Sequence, residues 1–364
     1  MRKYIPFILL ILAAASCKKE SDNIVWQRTA GEGSAFFIGA TADSGFIGCG
    51  RLSGNPYLVK FGSGRDIELE YYSQENGLFS SAWYDTSGIV AAGSRAGKML
   101  LTRIDPAGTI LWDTTITSDF YLDITSLVYE GNGSFLAVGS ASPDSADVIY
   151  TGILFVRFDT AGQISYTMET TDFETGFTAA GKAIEDGSGN IYLPLTRKSG
   201  SLKPKAAIAK YNRNIQKLWE TDLYNNTGFR AGCYAATTDA AGNVFVTGVT
   251  EASNMSGTLT NSYVASVSRL GEVQWKKYLE NSNTGSSIIL NGSGNVLMLN
   301  KNCFILRILN SADGSDDGIA RMFAECDSYT TDAFGLDMDL RHDGTVLVAG
   351  TKAGNFWIAI KSVQ

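Results

Sequence analysis

The amino-acid sequence predicts an all-β protein, a seven-bladed β-propeller made of four-stranded antiparallel blades. Three observations favour this fold. A turn motif of the form Asp-x-x-Gly recurs about every 50 residues, a repeat length typical of propellers. An alternating apolar strand follows each turn, and long runs with the 3.6-residue period of an amphipathic helix are absent. The 39 glycines, 6 prolines and 44% hydrophobic residues suit a chain of many short strands around a large core.

Residues 239–275 show the repeat most clearly. The segment opens with DAAGNVFVTG, continues through a polar stretch into a second apolar strand, and closes on SRLGEVQW, which ends at Trp275. A further strand, rich in Ser, Ala and Gly, precedes each first turn, and these small residues suit the crowded position nearest the central axis. The glycines of the aligned first turns are Gly45, Gly88, Gly133, Gly189, Gly242, Gly294 and Gly344.

Glycine also ends five of the seven alternating strands, as Gly248 does in VFVTG. We interpret this pattern as a requirement of tight hairpins, because Gly adopts positive φ at no steric cost. The last repeat lacks a fourth strand, whereas residues 24–29, IVWQRT, have the fourth-strand pattern with Trp26 at its tip. We therefore expect the N-terminal strand to pair into the last blade and close the ring, which would remove both exposed sheet edges.

The repeat resembles the seven-bladed beta-propeller repeat of bacterial secreted proteins. The resemblance rests on the D-x-x-G-N-x-Y/F-x-x-G opening and the G-x-x-x-W close, both present in residues 239–275. It extends over residues 24–364, and the fourth and sixth repeats depart from it by losing the strand-ending Gly. The resemblance implies the fold and says little about activity.

The first 23 residues predict export and lipidation. Residues 1–16 combine a basic start, a short apolar run and small residues, which is typical of a signal peptide. The ending Ala15-Ser16-Cys17 resembles the lipobox of bacterial lipoproteins, which implies cleavage before Cys17 and acylation of that residue. Residues 17–23 then form a polar, lipidated tether, whose Lys and acidic residues resemble the surface-export signal of Bacteroidetes lipoproteins. Residues 24–364 are the predicted propeller domain.

Few residues suggest catalysis or metal binding. His342 is the only histidine and takes the place of Asp in the last turn, so we interpret it as a solvated turn residue, and a zinc or iron site built from histidines is excluded. The acidic segment 313–318, DGSDDG, lacks the D-x-D-x-D-G spacing of a calcium loop and is interpreted as a hairpin turn. No cofactor is expected. Four cysteines besides Cys17 lack the spacing of a disulfide framework and are interpreted as buried thiols, with a disulfide between the last two left open: Cys49, Cys233, Cys303 and Cys326.

Chain direction predicts two unlike faces. The Asp-x-x-Gly turns and the turns before the aromatic-tipped strands should lie on one face, and the remaining connections on the other. The second face collects three long loops in repeats three to five, at 140–151, 197–205 and 250–262. Long loops lose conformational entropy on ordering without adding core, so contact with a ligand or partner is the simplest cause.

Aromatic residues stand near the entrances of the first strands on that second face: Phe36, Phe79, Tyr121, Phe177, Phe229 and Phe334. Two interpretations are open. Either the rings are wedges between blades, or they line a mouth at the axis, flanked by the three loops, that suits a glycan or a partner's loop. In the second interpretation Arg230 is the expected charged anchor.

The sequence favours a non-catalytic outer-membrane or cell-surface lipoprotein, a binding or scaffolding module that presents a propeller face to a protein or glycan. A net charge of −7, without a Lys/Arg cluster beyond the N-terminal segment, argues against nucleic acid as a partner. The alternative is an extracellular carbohydrate-active hydrolase or lyase that uses loop carboxylates such as Asp123 and Asp332. A carboxylate pair of raised pKa at the mouth would favour the enzyme, and a broad apolar patch the scaffold.

Overall fold

A computed structural model describes residues 24–143, 152–170, 176–199, 203–224, 230–254, 257–279, 284–301, 305–322 and 333–362. This part of the chain contains strands and turns, and no helix in it is long and apolar enough to cross a membrane. Cys17, Phe229, Cys303, Cys326 and Asp332 lie outside the described residues.

The first fourteen strands are β1 (Ile24–Ala40), β2 (Phe46–Leu52), β3 (Asn55–Phe61), β4 (Ile67–Tyr72), β5 (Leu78–Asp85), β6 (Gly88–Arg95), β7 (Lys98–Ile104), β8 (Ile110–Ile116), β9 (Tyr121–Gly131), β10 (Ser134–Ser142), β11 (Gly152–Asp159), β12 (Ile164–Thr170), β13 (Gly176–Ala180) and β14 (Ile184–Glu185). The other fourteen are β15 (Ile191–Ser199), β16 (Lys205–Tyr211), β17 (Lys217–Asp222), β18 (Arg230–Thr238), β19 (Val244–Asn254), β20 (Gly257–Val267), β21 (Val273–Leu279), β22 (Gly285–Leu290), β23 (Asn295–Asn300), β24 (Ile305–Asn310), β25 (Asp316–Met322), β26 (Ala333–Leu340), β27 (Val346–Lys352) and β28 (Asn355–Lys361).

These strands form six antiparallel sheets within the described ranges. Four sheets have four strands each, in the orders β5-β6-β7-β8, β9-β10-β11-β12, β18-β19-β20-β21 and β22-β23-β24-β25. In a fifth sheet, β13 and β14 both pair with β15, followed by β16 and β17. The sixth has seven strands, in the order β26-β27-β28-β1-β2-β3-β4. The fold is therefore all-β and propeller-like, with four antiparallel strands as its unit.

The sixth sheet is long because β1 belongs to two repeats. Its first half pairs with β28, from Ile24 opposite Lys361 to Glu32 opposite Asn355. Its second half pairs with β2, from Gly33 opposite Leu52 onward. The N-terminal strand thus pairs with the last strand of the chain, as expected for residues 24–29. Trp26 lies 5.5 and 5.2 Å, between ring centroids, from Phe46 and Phe61 of the first repeat.

The two ends of the sheets differ as the chain direction predicts. At the end called here the turn face, turns of two to five residues join the first to the second strand of each repeat and the third to the fourth strand of the first six. In one such turn Asp239 Oδ1 accepts hydrogen bonds from the amides of Ala241 and Asn243, at 2.9 and 2.8 Å. Gly242 in the same turn adopts a φ of +81°. The carboxylate caps the turn and Gly supplies the left-handed conformation, which explains the Asp-x-x-Gly motif. The opposite end, with all other connections, is called the hairpin face.

The core lies between neighbouring sheets, where apolar side chains from two repeats interdigitate. Aromatic residues of the fourth strands reach the following repeat: the indole Nε1 of Trp112, Trp219 and Trp275 donates to Thr160 O, Arg269 O and Ser311 O at 3.0–3.2 Å. The rings lie against Gly162, Gly271 and Gly314 of those turns. The G-x-x-x-W close of the sequence repeat is therefore a contact between adjacent repeats.

The expectation about Gly at the strand ends is wrong. The strands continue past it, since β2 runs to Leu52 and β19 to Asn254, and Gly50, Gly93, Gly139 and Gly248 do not have positive φ. At each of these four positions an added Cβ would overlap a carbonyl oxygen of the paired first strand; for Gly248 that oxygen belongs to Gly232. Gly is needed there because the first strand approaches closely.

Candidate functional site at the axis and the hairpin face

The first strand of six repeats carries a β-bulge at the same position, and that of the fourth repeat is interrupted there. Opposite the Gly just described, the first strand holds one residue more than its partner, as Tyr234 does between the pairs Cys233–Gly248 and Ala235–Thr247. The equivalent residues are Phe36, Ser80, Thr125, Ser286 and Leu336, and Lys182 lies in the break between β13 and β14. A bulge turns one side chain out of the regular alternation, so these seven side chains form a distinct set.

Lys182 spans the space between distant repeats. Its Nζ lies 2.7 Å from Asp337 Oδ1 in the last repeat and 3.3 and 3.5 Å from the carbonyl oxygens of Phe36 and Leu336. Lys182 belongs to the fourth repeat, so its side chain brings the fourth repeat into contact with the first and the last. The Asp337 side chain is 8% exposed, and the ammonium compensates its buried charge.

Local sequence explains why Lys182 points to the axis. Pro194 on the adjacent β15 has no N–H to donate, so regular pairing with the first strand is interrupted there. Gly181 N still donates to Pro194 O at 2.8 Å, and Gly181 O accepts the Thr125 hydroxyl at 2.8 Å from the preceding repeat. The amide of Lys182 donates to Tyr234 O, also at 2.8 Å. The backbone of Lys182 is thus held by the next repeat while its side chain crosses the axis.

Acidic side chains on β26 hold the last repeat to the first. Asp337 Oδ2 accepts the amide of Ile38 at 3.2 Å, and Asp339 Oδ2 accepts the amide of Ala40 at 2.7 Å. Ser287 donates to Asp337 Oδ1 at 3.0 Å. Arg341, two residues after Asp339, donates to Ser44 O at 2.9 Å. The contacts of Asp337, Asp339 and Arg341 join the last repeat to the first, and that of Ser287 joins the sixth repeat to the last.

Burial raises the pKa of Asp339 to about 6, and the neighbouring charge of Asp337 acts in the same direction. The amides of Ala40 and Leu340 and the charge of His342 oppose this shift. A clustered pair of carboxylates of raised pKa at the mouth is the feature expected of an enzyme. Both oxygens of Asp339 accept backbone amides, and its neighbour Asp337 is paired with Lys182. The geometry is that of groups that fasten two repeats together.

The hairpin of the fifth repeat projects farther from the hairpin face than those of three other repeats. In the first, second and last repeats the hairpins of second and third strands end after seven residue pairs, at Leu52–Asn55, Arg95–Lys98 and Lys352–Asn355. In the fifth repeat, β19 and β20 pair over eleven, out to Asn254–Gly257. Four more pairs extend this hairpin by about 13 Å.

The predicted loop at 250–262 is therefore mostly paired strand, which corrects the expectation of an irregular loop. Two other predicted loops are also shorter than expected, because β10 extends to Ser142 and β15 to Ser199. Residues 144–151 and 200–202 lie outside the described residues. Alternating Thr residues in TEASNMSGTLTNS were the signal for extended structure that the sequence reading missed.

The predicted aromatic residues do not form one set. Phe79 is fully buried in the core between the first and second repeats, so it is a wedge, and its assignment to a mouth is wrong. Tyr121 covers Gly97 of the preceding repeat's hairpin. Phe36 is half-buried at a bulge, and Phe334 is half-buried at the start of β26. Phe177 lies in β13 opposite Lys198, and its side chain is outside the described residues.

Arg230 is exposed at the start of β18, opposite Glu251 at the base of the raised hairpin. Tyr234, which the sequence reading missed, is 38% exposed at the bulge of the same strand. Bulged residues are hard to find in a sequence because one inserted residue merely shifts the alternation. Arg230 thus lies at the hairpin face and Tyr234 about 13 Å further along the same strand, beside a projecting hairpin.

The remaining predicted residues are turn or core groups where the structure describes them. His342 is exposed, and with Arg341, Asp343 and Ser44 it lines a turn-face pocket of about 280 Å³. Asp316, in the acidic segment 313–318, pairs with Arg307 at 2.8 Å. Cys49 and Cys233 are buried free thiols, and burial raises the pKa of both, that of Cys233 to about 12. No cluster of possible metal ligands occurs among the described residues.

Comparison with known proteins identifies relatives by structure alone. No protein-family model matches the sequence, and no curated protein matches it. The WD40 domain of Neurospora crassa Pan2 is similar with a TM-score of 0.61 at 11% identity, over 91% of this chain and 90% of that one. Virginiamycin B lyase from Staphylococcus aureus is similar with a TM-score of 0.60 at 11% identity, over 93% of this chain and 99% of that one. The extracellular domain of a putative hybrid two-component system from B. thetaiotaomicron is similar with a TM-score of 0.53 at 10% identity, over 93% of this chain and 40% of that one.

These similarities show a propeller-like fold. A lyase and a WD40 domain share it, so the fold alone does not decide whether the protein is an enzyme.

Proposed function

We propose that the protein is a non-catalytic binding module, a lipoprotein anchored in the outer membrane through Cys17, and that it presents its hairpin face to a protein partner. The domain is a seven-bladed β-propeller whose ring is closed by β1. The raised β19–β20 hairpin is the observation that carries the binding proposal.

Ring closure is supported by the pairing of β1 with both β28 and β2. It is supported further by a core cluster that combines Phe46 and Phe61 of the first repeat with Phe356 and Ile358 of the last, with Trp26 packed against it. The recurrence of one bulge in six first strands, with a break at the same place in the fourth repeat, supports the blade count.

The raised hairpin supports a role in binding because the fold does not require it. Three repeats close the same hairpin after seven pairs, so the four additional pairs serve something other than the core. Within the described residues, β20 pairs with β21 as far as Ser262–Leu279 and with β19 out to Asn254–Gly257. A protein partner is favoured over a glycan because a β-hairpin presents backbone N–H and C=O groups in the pattern with which an extended peptide pairs.

The test is to shorten the hairpin. Residues 251–260 are replaced by a two-residue turn that joins Thr250 to Asn261, a pair already opposite each other. The intact lipoprotein and this variant are crosslinked in the native envelope and the bound proteins compared. We expect a partner that is captured by the intact protein and lost, by at least tenfold, with the short hairpin. The melting temperature should stay within a few degrees.

The control is Gly292→Ala, on the turn face, where an added Cβ meets nothing within 4 Å. It should capture the partner as the intact protein does. Equal capture by the short-hairpin variant would reject the contact face. The anchor is tested separately by Cys17→Ser, which should move the protein from the membrane to the soluble fraction.

A further inference from the structure

We infer that the turn face of the domain rests on the lipid surface, with an apolar rim in contact with the headgroup region, so that the hairpin face points away from the membrane. This inference depends on the proposed lipid anchor. It concerns a different surface from the partner-binding hairpin.

Exposed apolar side chains are distributed unequally between the two ends of the sheets. Among the described residues, the large exposed aliphatic side chains all lie at or near the turn face, and examples are Ile67, Ile110, Leu111, Leu218, Leu270 and Val273. The large exposed apolar residues elsewhere, along the axis and toward the hairpin face, are tyrosines: Tyr72, Tyr121, Tyr234 and Tyr278. Isolated exposed leucines are ordinary, but their restriction to one end of the sheets is not.

The aliphatic residues also recur at one place in the repeat. Ile67, Ile110 and Val273 are the first residues of fourth strands, directly after a turn, and Leu218 is the second residue of β17. Leu270, which is 70% exposed, lies within the turn that precedes β21. Because fourth strands form the outer edges of the sheets, these side chains are arranged around the rim of the turn face. A rim of this kind can enter the headgroup region from several repeats at once.

The point where the tether meets the domain agrees with this orientation. Ile24 begins β1 at the turn face, where it pairs with Lys361 next to Val346. The seven steps from Cys17 to Ile24 span at most about 24 Å when fully extended. The part of β1 that runs from Ile24 to Glu32 pairs along six residue steps of β28, which cover about 20 Å. With the hairpin face down, the tether would have to be almost fully extended to reach the lipid, whereas with the turn face down it can stay relaxed.

The experiment measures which surface lies near lipid. The acylated lipoprotein is placed in vesicles of phosphatidylethanolamine and phosphatidylcholine, with single cysteines labelled by an environment-sensitive dye at Leu270→Cys on the turn face or Lys98→Cys on the hairpin face. Nitroxide-labelled phospholipid is the quencher. The unsubstituted lipoprotein, labelled in parallel, gives the background from native cysteines. We expect at least twofold stronger quenching at position 270 than at position 98.

Two further labels distinguish a domain that lies on its edge. Ile67→Cys in the first repeat and Leu218→Cys in the fourth are on opposite sides of the axis, because Lys182 of the fourth repeat reaches Phe36 of the first. Quenching at both positions supports the inference. Quenching at only one, or equal quenching at positions 270 and 98, overturns it. A lipoprotein that stays in the soluble fraction whatever its label overturns the proposed anchor itself and this inference with it.

Discussion

Substitution of Lys182 tests most directly how much the contact between the fourth and the last repeat contributes to stability. In Lys182→Met the Asp337 carboxylate keeps its charge and loses its ammonium partner, 2.7 Å away. Breaking a fully buried pair costs roughly 3–5 kcal/mol, and the partial exposure of Lys182 lowers the expected loss of unfolding free energy to about 2 kcal/mol. Urea denaturation of the soluble domain measures it.

The double variant Lys182→Met/Asp337→Asn should be more stable than the sum of the single effects predicts, by about 1 kcal/mol or more. Lys217→Met is the control, because Lys217 and Glu220 form a pair on the surface at 3.2 Å. An exposed pair is worth less than about 1 kcal/mol. Additive losses in the cycle would show that Lys182 and Asp337 do not interact across the axis.

Asp339 predicts a pH dependence of opposite sign to that of most carboxylates. Its folded pKa is about 6, above the ordinary value of 3.8, so the folded state holds a proton that the unfolded chain releases between those values. The free energy of unfolding should therefore fall as pH rises from about 4 to 6, with a slope of at most about 1.4 kcal/mol per pH unit from this group.

In Asp339→Asn that contribution should disappear, leaving a flatter profile between pH 4 and 6. Asp43→Asn is the control, because its pKa is lowered to about 2 and its effect belongs below pH 4. Identical slopes for Asp339→Asn and the unsubstituted domain, in denaturation at matched ionic strength, would mean that Asp339 is not the group responsible.

At the scale of the strand, stability depends on the close approach of the bulged first strand to a Gly of the second strand. Gly248→Ala places a methyl group on the carbonyl oxygen of Gly232, and the backbone on both sides is fixed by sheet pairing. We expect a loss of about 3 kcal/mol or more in thermal unfolding, at the upper end of overpacking. Gly292→Ala, at an open position, should change stability by less than about 1 kcal/mol. Similar losses for the two variants would contradict a steric role for Gly248.

Sequence patterns could predict the turns and strands because each depends on neighbours in the chain. The Asp of a turn such as 239–243 caps amides two and four residues away, and Trp26 lies in a strand with the repeat's own pattern. The bulges are hidden because one inserted residue merely shifts the alternation, and the contact of Lys182 with Asp337 joins residues more than a hundred positions apart. Nothing in AAGKAI separates Lys182 from a surface lysine. The raised hairpin was misread as a loop because its Ser, Thr and Asn residues are typical of both.

At the scale of the molecule, the arrangement of β1 makes stability depend on both ends of the chain. Removing residues 24–29 from a soluble domain takes away most of the pairing with β28 and the ring of Trp26 beside Phe46 and Phe61. Losing a fully buried Trp side chain costs about 3–5 kcal/mol, and the partly buried Trp26 should contribute a part of that. We expect aggregation, or a melting temperature lower by about 10 °C or more, since the outer edge of β28 is then exposed.

The control deletion removes residues 18–23, which precede the paired part of β1, and should leave the melting temperature unchanged. A synthetic peptide of residues 24–32 separates loss of one strand from general misfolding. If the truncated domain keeps its other sheets, the peptide should pair with β28 as an added strand and raise the melting temperature in a concentration-dependent way. A peptide in which Trp26 is replaced by Ala should do so less, because the backbone pairing remains while the ring contacts are lost. A truncated domain as stable as the full one would exclude closure through β1.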